Sequence, residues 1–124
     1  MSNEFRAITR VGFGEATYKD GMVETAYGRF NATSINVDSV LSIIAACFAR
    51  SIVEKLNIKE VSVRVELQED LDALLDGDVD KVESLKILVK VANVDRDAIE
   101  KALAGCPFYG MLRGKVRALE VVGS

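Results

Sequence analysis

The chemistry open to this sequence rests on two thiols. Cys47 lies within the apolar run Ile43 to Ala49, and Cys106 stands directly before Pro107, the one proline in the chain. A proline there begins a helical turn and makes Cys106 its N-cap. A helix N-terminus carries partial positive charge and stabilises a thiolate. Arg50 follows Cys47 by three residues, on roughly the same helical face. A guanidinium turned toward Cys47 would favour its ionised form, the form that acts as a nucleophile. Taken singly, a free cysteine is more often a small buried hydrophobe. The distance between the two along the chain says nothing about their proximity in space.

Composition narrows the alternatives. The chain has 124 residues, no histidine, and 16 basic against 19 acidic side chains, a net charge of −3. Without imidazole there is no Ser-His-Asp triad, no Cys-His pair and no His-ligated zinc or haem. Two cysteines are too few for a four-cysteine zinc site. Mild acidity argues against nucleic acid as a partner. The polar start lacks the apolar core of a signal peptide, and the longest strictly apolar run falls far short of the ~18 residues of a membrane span. A soluble, cytoplasmic protein that does not bind membranes is expected. In that compartment a cysteine pair is more often redox-active or simply buried than a structural disulfide. At 49% hydrophobic and 28% charged, the chain is expected to form a single domain over 1–124 with an ordinary core.

Those thiols need elements to position them. Residues 4–13 alternate Phe5, Ala7, Thr9, Val11 and Phe13 with polar neighbours, which predicts a strand. Asp20-Gly21 is a tight-turn pair and predicts a hairpin of 14–19 with 22–30. From Val37 to Leu56 there is no Gly or Pro, and Asn36 and Asp38 suit the start of a helix. Its apolar residues, Val40 to Ala49, cover the whole circumference. A helix apolar all round is buried all round; one small sheet covers a single side, and a second subunit is the economical cover for the rest. Strand periodicity returns at Val61–Leu67 and Leu85–Val91, with a solvated acidic loop from Glu69 to Glu83 between them. Asp95 is expected to cap a helix ended by Gly105, and residues 115–122 to form the last strand. The order is βββ-α-ββ-α-β, an α+β domain of mostly antiparallel strands packed on a buried central helix.

Three weaker signals carry no function. Gly12-Phe13-Gly14 has Thr17 where a dinucleotide loop needs its third glycine, and no helix follows. Asp76, Asp78 and Asp80 open like a calcium loop, but Lys81 and Ile87 stand where glycine and glutamate are required. Arg113, Lys115 and Arg117 alternate as a solvated strand face would.

Two segments resemble the OsmC/Ohr family, named for osmotically inducible protein C and organic hydroperoxide resistance protein. They are Ala45-Ala46-Cys47-Phe48 within the apolar helix, and Ala104-Gly105-Cys106-Pro107 followed by Leu112-Arg113-Gly114-Lys115-Val116. The similarity spans nearly the whole chain, best from Arg29 onward. It implies an intertwined homodimer with sites at the subunit interface, and a thiol peroxidase acting on organic hydroperoxides. In that cycle the Cys47 thiolate becomes a sulfenic acid, Cys106 condenses with it to a disulfide, and a dithiol such as dihydrolipoamide reduces the disulfide. No metal or bound cofactor is implied. Arg29, in Tyr27-Gly28-Arg29-Phe30, resembles the family arginine that lowers the thiol pKa and orients the peroxide. The chain departs from the family at the functional glutamate. Val37 occupies that position, and Asp38 is the nearest carboxylate. The departure motivates an alternative: a binding module of the same fold that holds a small hydrophobic or thiol ligand with weak or no peroxidase activity. A sulfur carrier using one thiol would leave the second cysteine idle.

Overall fold

A computed structural model describes residues 7–78 and 82–123. The chain divides into two compact units, Met1–Asn36 and Val37–Ser124.

The first unit is an antiparallel meander of β1 (Thr17–Lys19), β2 (Met22–Thr25) and β3 (Gly28–Asn31). Asp20 and Gly21 have φ of 53° and 80°. These left-handed values match the twist of the flanking strands and set Lys19 opposite Met22. The expected strand over 22–30 is split by a turn at Ala26-Tyr27, where Thr25 Oγ1 accepts the Tyr27 N–H at 3.0 Å and donates to the Gly28 carbonyl at 3.3 Å. Gly28 has φ 152°, and a Cβ there would stand 3.2 Å from the Phe30 ring, so glycine fits on two counts. Asn31 then caps a short 3₁₀ turn, Ala32–Ser34, by accepting the Thr33 N–H at 3.1 Å.

The strand expected over 4–13 is not found in 7–13, which are exposed and carry no strand pairing; 4–6 lie outside the described residues. Alternation supplies a side-chain pattern, but a strand also needs a neighbour to take its backbone bonds. Arg10 instead lies over the Phe13 ring at 4.7 Å.

The second unit holds the two thiols. Its elements are α1 (Val37–Leu56), β4 (Ser62–Glu69), α2 (Leu71–Leu75), β5 (Glu83–Lys90), α3 (Arg96–Ala104), α4 (Pro107–Leu112) and β6 (Val116–Val122). The sheet order is β4-β5-β6. The first pair is antiparallel, with Val65 opposite Ile87. The second is parallel, with Val89 opposite Val121. The parallel pairing departs from a purely antiparallel neighbourhood because α3 and α4 carry the chain back between β5 and β6. As the middle strand, β5 is buried deepest: Leu85, Ile87 and Val89 are all core residues. Phe48 and Ile52 of α1 and Ile99 and Leu103 of α3 pack on them with no exposed surface.

The acidic connection is not all loop. Asp70 accepts N–H bonds from Asp72 and Ala73 at 3.0 and 3.1 Å and so starts α2. Asp80 and Lys81, of the rejected calcium loop, lie outside the described residues. Arg113 and Lys115 also differ from expectation. They sit in a 3₁₀ turn, Arg113–Lys115, and only Arg117 lies on β6. Gly114 between them adds no side chain to pack and favours a turn.

Within its own unit α1 is not buried all round. Phe48 and Ile52 face the core, with Leu41, Ile44 and Ala45 packed beside them. Val37, Val40 and Ile43 remain 57%, 50% and 69% exposed. A single three-stranded sheet and two helices cover one face of α1 and leave its apolar flank open.

Candidate functional site

Cys47 lies mid-helix on α1 and is half-buried. Its position follows from the register: Phe48, the next residue, is locked inward, which turns Cys47 to the flank of the buried stripe. Val40 and Ile43 precede Cys47 by seven and four residues, so the thiol shares that flank with open apolar side chains.

Cys106 stands at the junction of α3 and α4, within the core cluster that holds Phe48. Asp95 accepts the Ala98 N–H at 2.9 Å and starts α3. Gly105 ends it, and the Cys106 N–H donates to the Leu103 carbonyl at 2.8 Å. Pro107 then opens α4, and the Cys106 carbonyl accepts the Gly110 N–H at 3.1 Å. Cys106 is therefore the N-cap of α4, fixed by these backbone bonds and by packing in the core, and its thiol makes no capping bond. It is 5% exposed. Both cysteines are free thiols in this structure.

Helices α1 and α4 meet at an aromatic contact. The rings of Phe48 and Tyr109 stack edge to face, with centroids 5.9 Å apart and planes at 77°. Phe48 follows Cys47 directly and Tyr109 follows Cys106 by three residues, so this contact fixes the two thiol-bearing segments against each other.

The charged residues are disposed differently. Arg50 donates from Nε to Glu54 Oε1 at 2.8 Å, and both side chains are largely exposed. The Glu54 bond and charge hold the Arg50 guanidinium above its ordinary pKa; partial desolvation opposes this, and the nearby Cys47 adds a smaller raising effect. Glu54 was not singled out from the sequence, although its spacing of four residues from Arg50 on a helix is a legible signal. Asp38 precedes Cys47 by nine residues, which at 3.6 residues per turn places them about 180° apart around α1. Asp38 instead lines a groove with Leu41, Ala45, Ala49 and the strand residues Val63 and Val65. This groove, of about 1250 Å³, contains neither thiol. Val37 also lines it. Arg29 belongs to the first unit, on β3 opposite Glu24, and is exposed.

Among the described residues no group of three or more Cys, Asp or Glu side chains is arranged to hold a metal ion. No helix among them is long and apolar enough to cross a membrane. The arrangement offers two free thiols on contacting helices, an apolar flank beside one of them, and a guanidinium on the same helical face.

No family model matches the sequence, and no curated protein matches it. Solved structures do. An organic hydroperoxide resistance protein from Elizabethkingia anophelis superposes with a TM-score of 0.63 at 17% identity, over 94% of this chain and all of that one. The organic hydroperoxide resistance protein OhrB of Bacillus subtilis gives 0.53 at 19% identity, over 91% of this chain and 100% of that one. An OsmC-like protein from Mycoplasma pneumoniae gives 0.54 at 12% identity, over 94% and 98%. This chain has the α+β fold shared by OsmC and Ohr proteins.

Proposed function

We propose that this protein is a thiol-dependent peroxidase that reduces organic hydroperoxides, using Cys47 and Cys106 as its redox pair. The observation that carries the reading is the meeting of the two thiol-bearing helices at Phe48 and Tyr109, on a fold whose solved relatives are named for organic hydroperoxide resistance. The Cys47 thiolate attacks the terminal oxygen of ROOH. The O–O bond breaks, ROH leaves after taking a proton, and Cys47 becomes a sulfenic acid. The Cys106 thiol then displaces water to form the Cys47–Cys106 disulfide. A dithiol such as dihydrolipoamide returns both cysteines to thiols and is itself oxidised. The apolar flank formed by Val40 and Ile43 favours alkyl hydroperoxides over hydrogen peroxide.

The open flank of α1 supports a homodimer, in which a second copy packs along Val37, Val40 and Ile43 and closes the space beside Cys47 into an apolar pocket. In this reading Arg29 supplies the guanidinium that lowers the thiol pKa and orients the peroxide. Asp38 supplies the carboxylate that Val37 cannot. Because Asp38 lies two and a half turns from the Cys47 of its own chain, on the opposite face of α1, that role falls to the thiol of the other copy. The protein works in the cytoplasm, with no metal, bound cofactor or nucleic acid.

The test is intact mass after one equivalent of cumene hydroperoxide, without reductant. The expected result is loss of two hydrogens, absent in both Cys47→Ser and Cys106→Ser. Two titratable thiols persisting across several peroxides would overturn it.

The groove of about 1250 Å³ beside α1 favours a second reading, a module that binds a small hydrophobic or thiol ligand without turnover. That reading expects ligand-dependent thermal stabilisation which survives in Cys47→Ser.

A further inference from the structure

Cys47, Arg50 and Glu54 lie along one face of α1. At 100° per residue Arg50 and Glu54 fall within about 60° of Cys47, and Arg50 sits between the other two along the axis. The guanidinium thus has an anionic group on each side: the Glu54 carboxylate two turns beyond Cys47, and the thiolate itself. In this structure its Nε is committed to Glu54 at 2.8 Å. The two side chains are 81% and 62% exposed, so solvent screens the pair and it opens readily.

We propose that Glu54 and the Cys47 thiolate compete for the Arg50 guanidinium, which makes Glu54 a positioning residue that restrains Cys47. With the carboxylate bound, the cation is drawn toward the C-terminal end of the face. When Glu54 is neutralised or engaged elsewhere, Arg50 is released to the thiolate one turn back and raises its population. The small raising effect of Cys47 on Arg50 fits a guanidinium within electrostatic reach of both. The proposal rests on the reading that Cys47 reacts as a thiolate, and its test involves no peroxide, so the two can fail separately.

The test is the rate at which iodoacetamide alkylates Cys47 at neutral pH and low salt, in a Cys106→Ser background where Cys47 is the remaining thiol. The thiolate displaces iodide and forms the C–S bond. Glu54→Gln is expected to speed alkylation about threefold, and Arg50→Gln to slow it about as much, as befits a screened charge one turn away. Arg50→Lys should restore most of the rate. In the double variant Arg50→Gln/Glu54→Gln the gain from Glu54→Gln should vanish. Equal or slower alkylation in Glu54→Gln would overturn the proposal. So would the same gain with and without Arg50, which would mark simple repulsion between carboxylate and thiolate. If Cys106→Ser does not fold, the same rates are read at Cys47 in the native chain by peptide mass, with the same outcomes deciding.

Discussion

Phe48 and Tyr109 meet edge to face at 5.9 Å, and each belongs to a segment that carries a cysteine. Phe48 has no exposed surface and Tyr109 is 7% exposed, so the contact is part of the core. Phe48→Ala is expected to destabilise the protein by about 3–5 kcal/mol, the usual range for a large aromatic removed from a packed interior. Tyr109→Leu, which keeps apolar volume, should cost less. A double-mutant cycle in urea should leave a coupling of about 0.5–1.5 kcal/mol, the value typical of an aromatic pair beyond its buried area. Zero coupling would mean that the ring geometry contributes nothing of its own.

The same contact bears on the redox reading. If it holds α1 and α4 in register for disulfide formation, a Tyr109→Ala variant that still folds should form the Cys47–Cys106 disulfide more slowly than its stability loss explains. The measurement is the rate of disulfide appearance after peroxide, under conditions where circular dichroism shows a folded chain. An unchanged rate would remove the positioning role.

Ile43 tests the proposed dimer. It is 69% exposed and stands one turn before Cys47. On a monomer, Ile43→Glu would be close to neutral for stability, within about ±0.5 kcal/mol. In a dimer that covers this flank it would place a charge in an apolar interface and dissociate the subunits. Light scattering after gel filtration is expected to show a dimer for the native chain and a monomer for Ile43→Glu. A monomeric native chain at micromolar concentration would contradict the dimer.

The approach to Cys106 gives two opposed stability changes. Asp95 caps α3 through the Ala98 N–H, so Asp95→Ala should cost about 0.5–2 kcal/mol. Gly105 has φ −80°, which any residue adopts. A Cβ there meets only the Cε of Lys55 closely, at 3.0 Å, and that side chain is exposed and free to shift. Gly105→Ala should therefore stabilise by about 0.4–1 kcal/mol, chiefly by restricting the unfolded chain. Urea midpoints of the two variants should move in opposite directions.

On β4, Arg64 donates from Nε to Glu66 Oε2 at 2.7 Å, and this bond holds the Glu66 carboxyl below its ordinary pKa. A carboxylate whose pKa is depressed by folding stabilises the native state above the unfolded pKa. That contribution is lost as pH falls through the folded value. Stability should therefore fall on acidification below the usual carboxylate range, and Glu66→Gln should make that limb shallower. The pair is exposed, so the difference should be small and should shrink in salt. An acid limb of equal slope in both proteins would exclude a contribution from Glu66.

Local chemistry in the sequence already determined much of this. The absence of breakers from Val37 to Leu56 set α1, Asp95 and Gly105 bounded α3, and Cys106-Pro107 made a cap and a helical start because proline fixes φ and lacks an N–H. Each signal concerns neighbours within one or two turns. Partners distant in the chain were not legible. Alternation at residues 4–13 did not supply a strand over the described part, 7–13, because nothing local provides the neighbouring backbone. The periodicity of 116–122 named a strand but not its parallel pairing to β5, which follows from where α3 and α4 return the chain. The same holds for the site. Residue types and spacing nominated Cys47 and Cys106, put Glu54 one turn from Arg50 and set Asp38 opposite Cys47 around α1, whereas only packing placed Phe48 on Tyr109 between the thiol-bearing helices and set β4 side chains across the groove from Asp38. Helical phase is fixed by the backbone, but which phase faces the core is decided by the side chains that bury the most apolar surface.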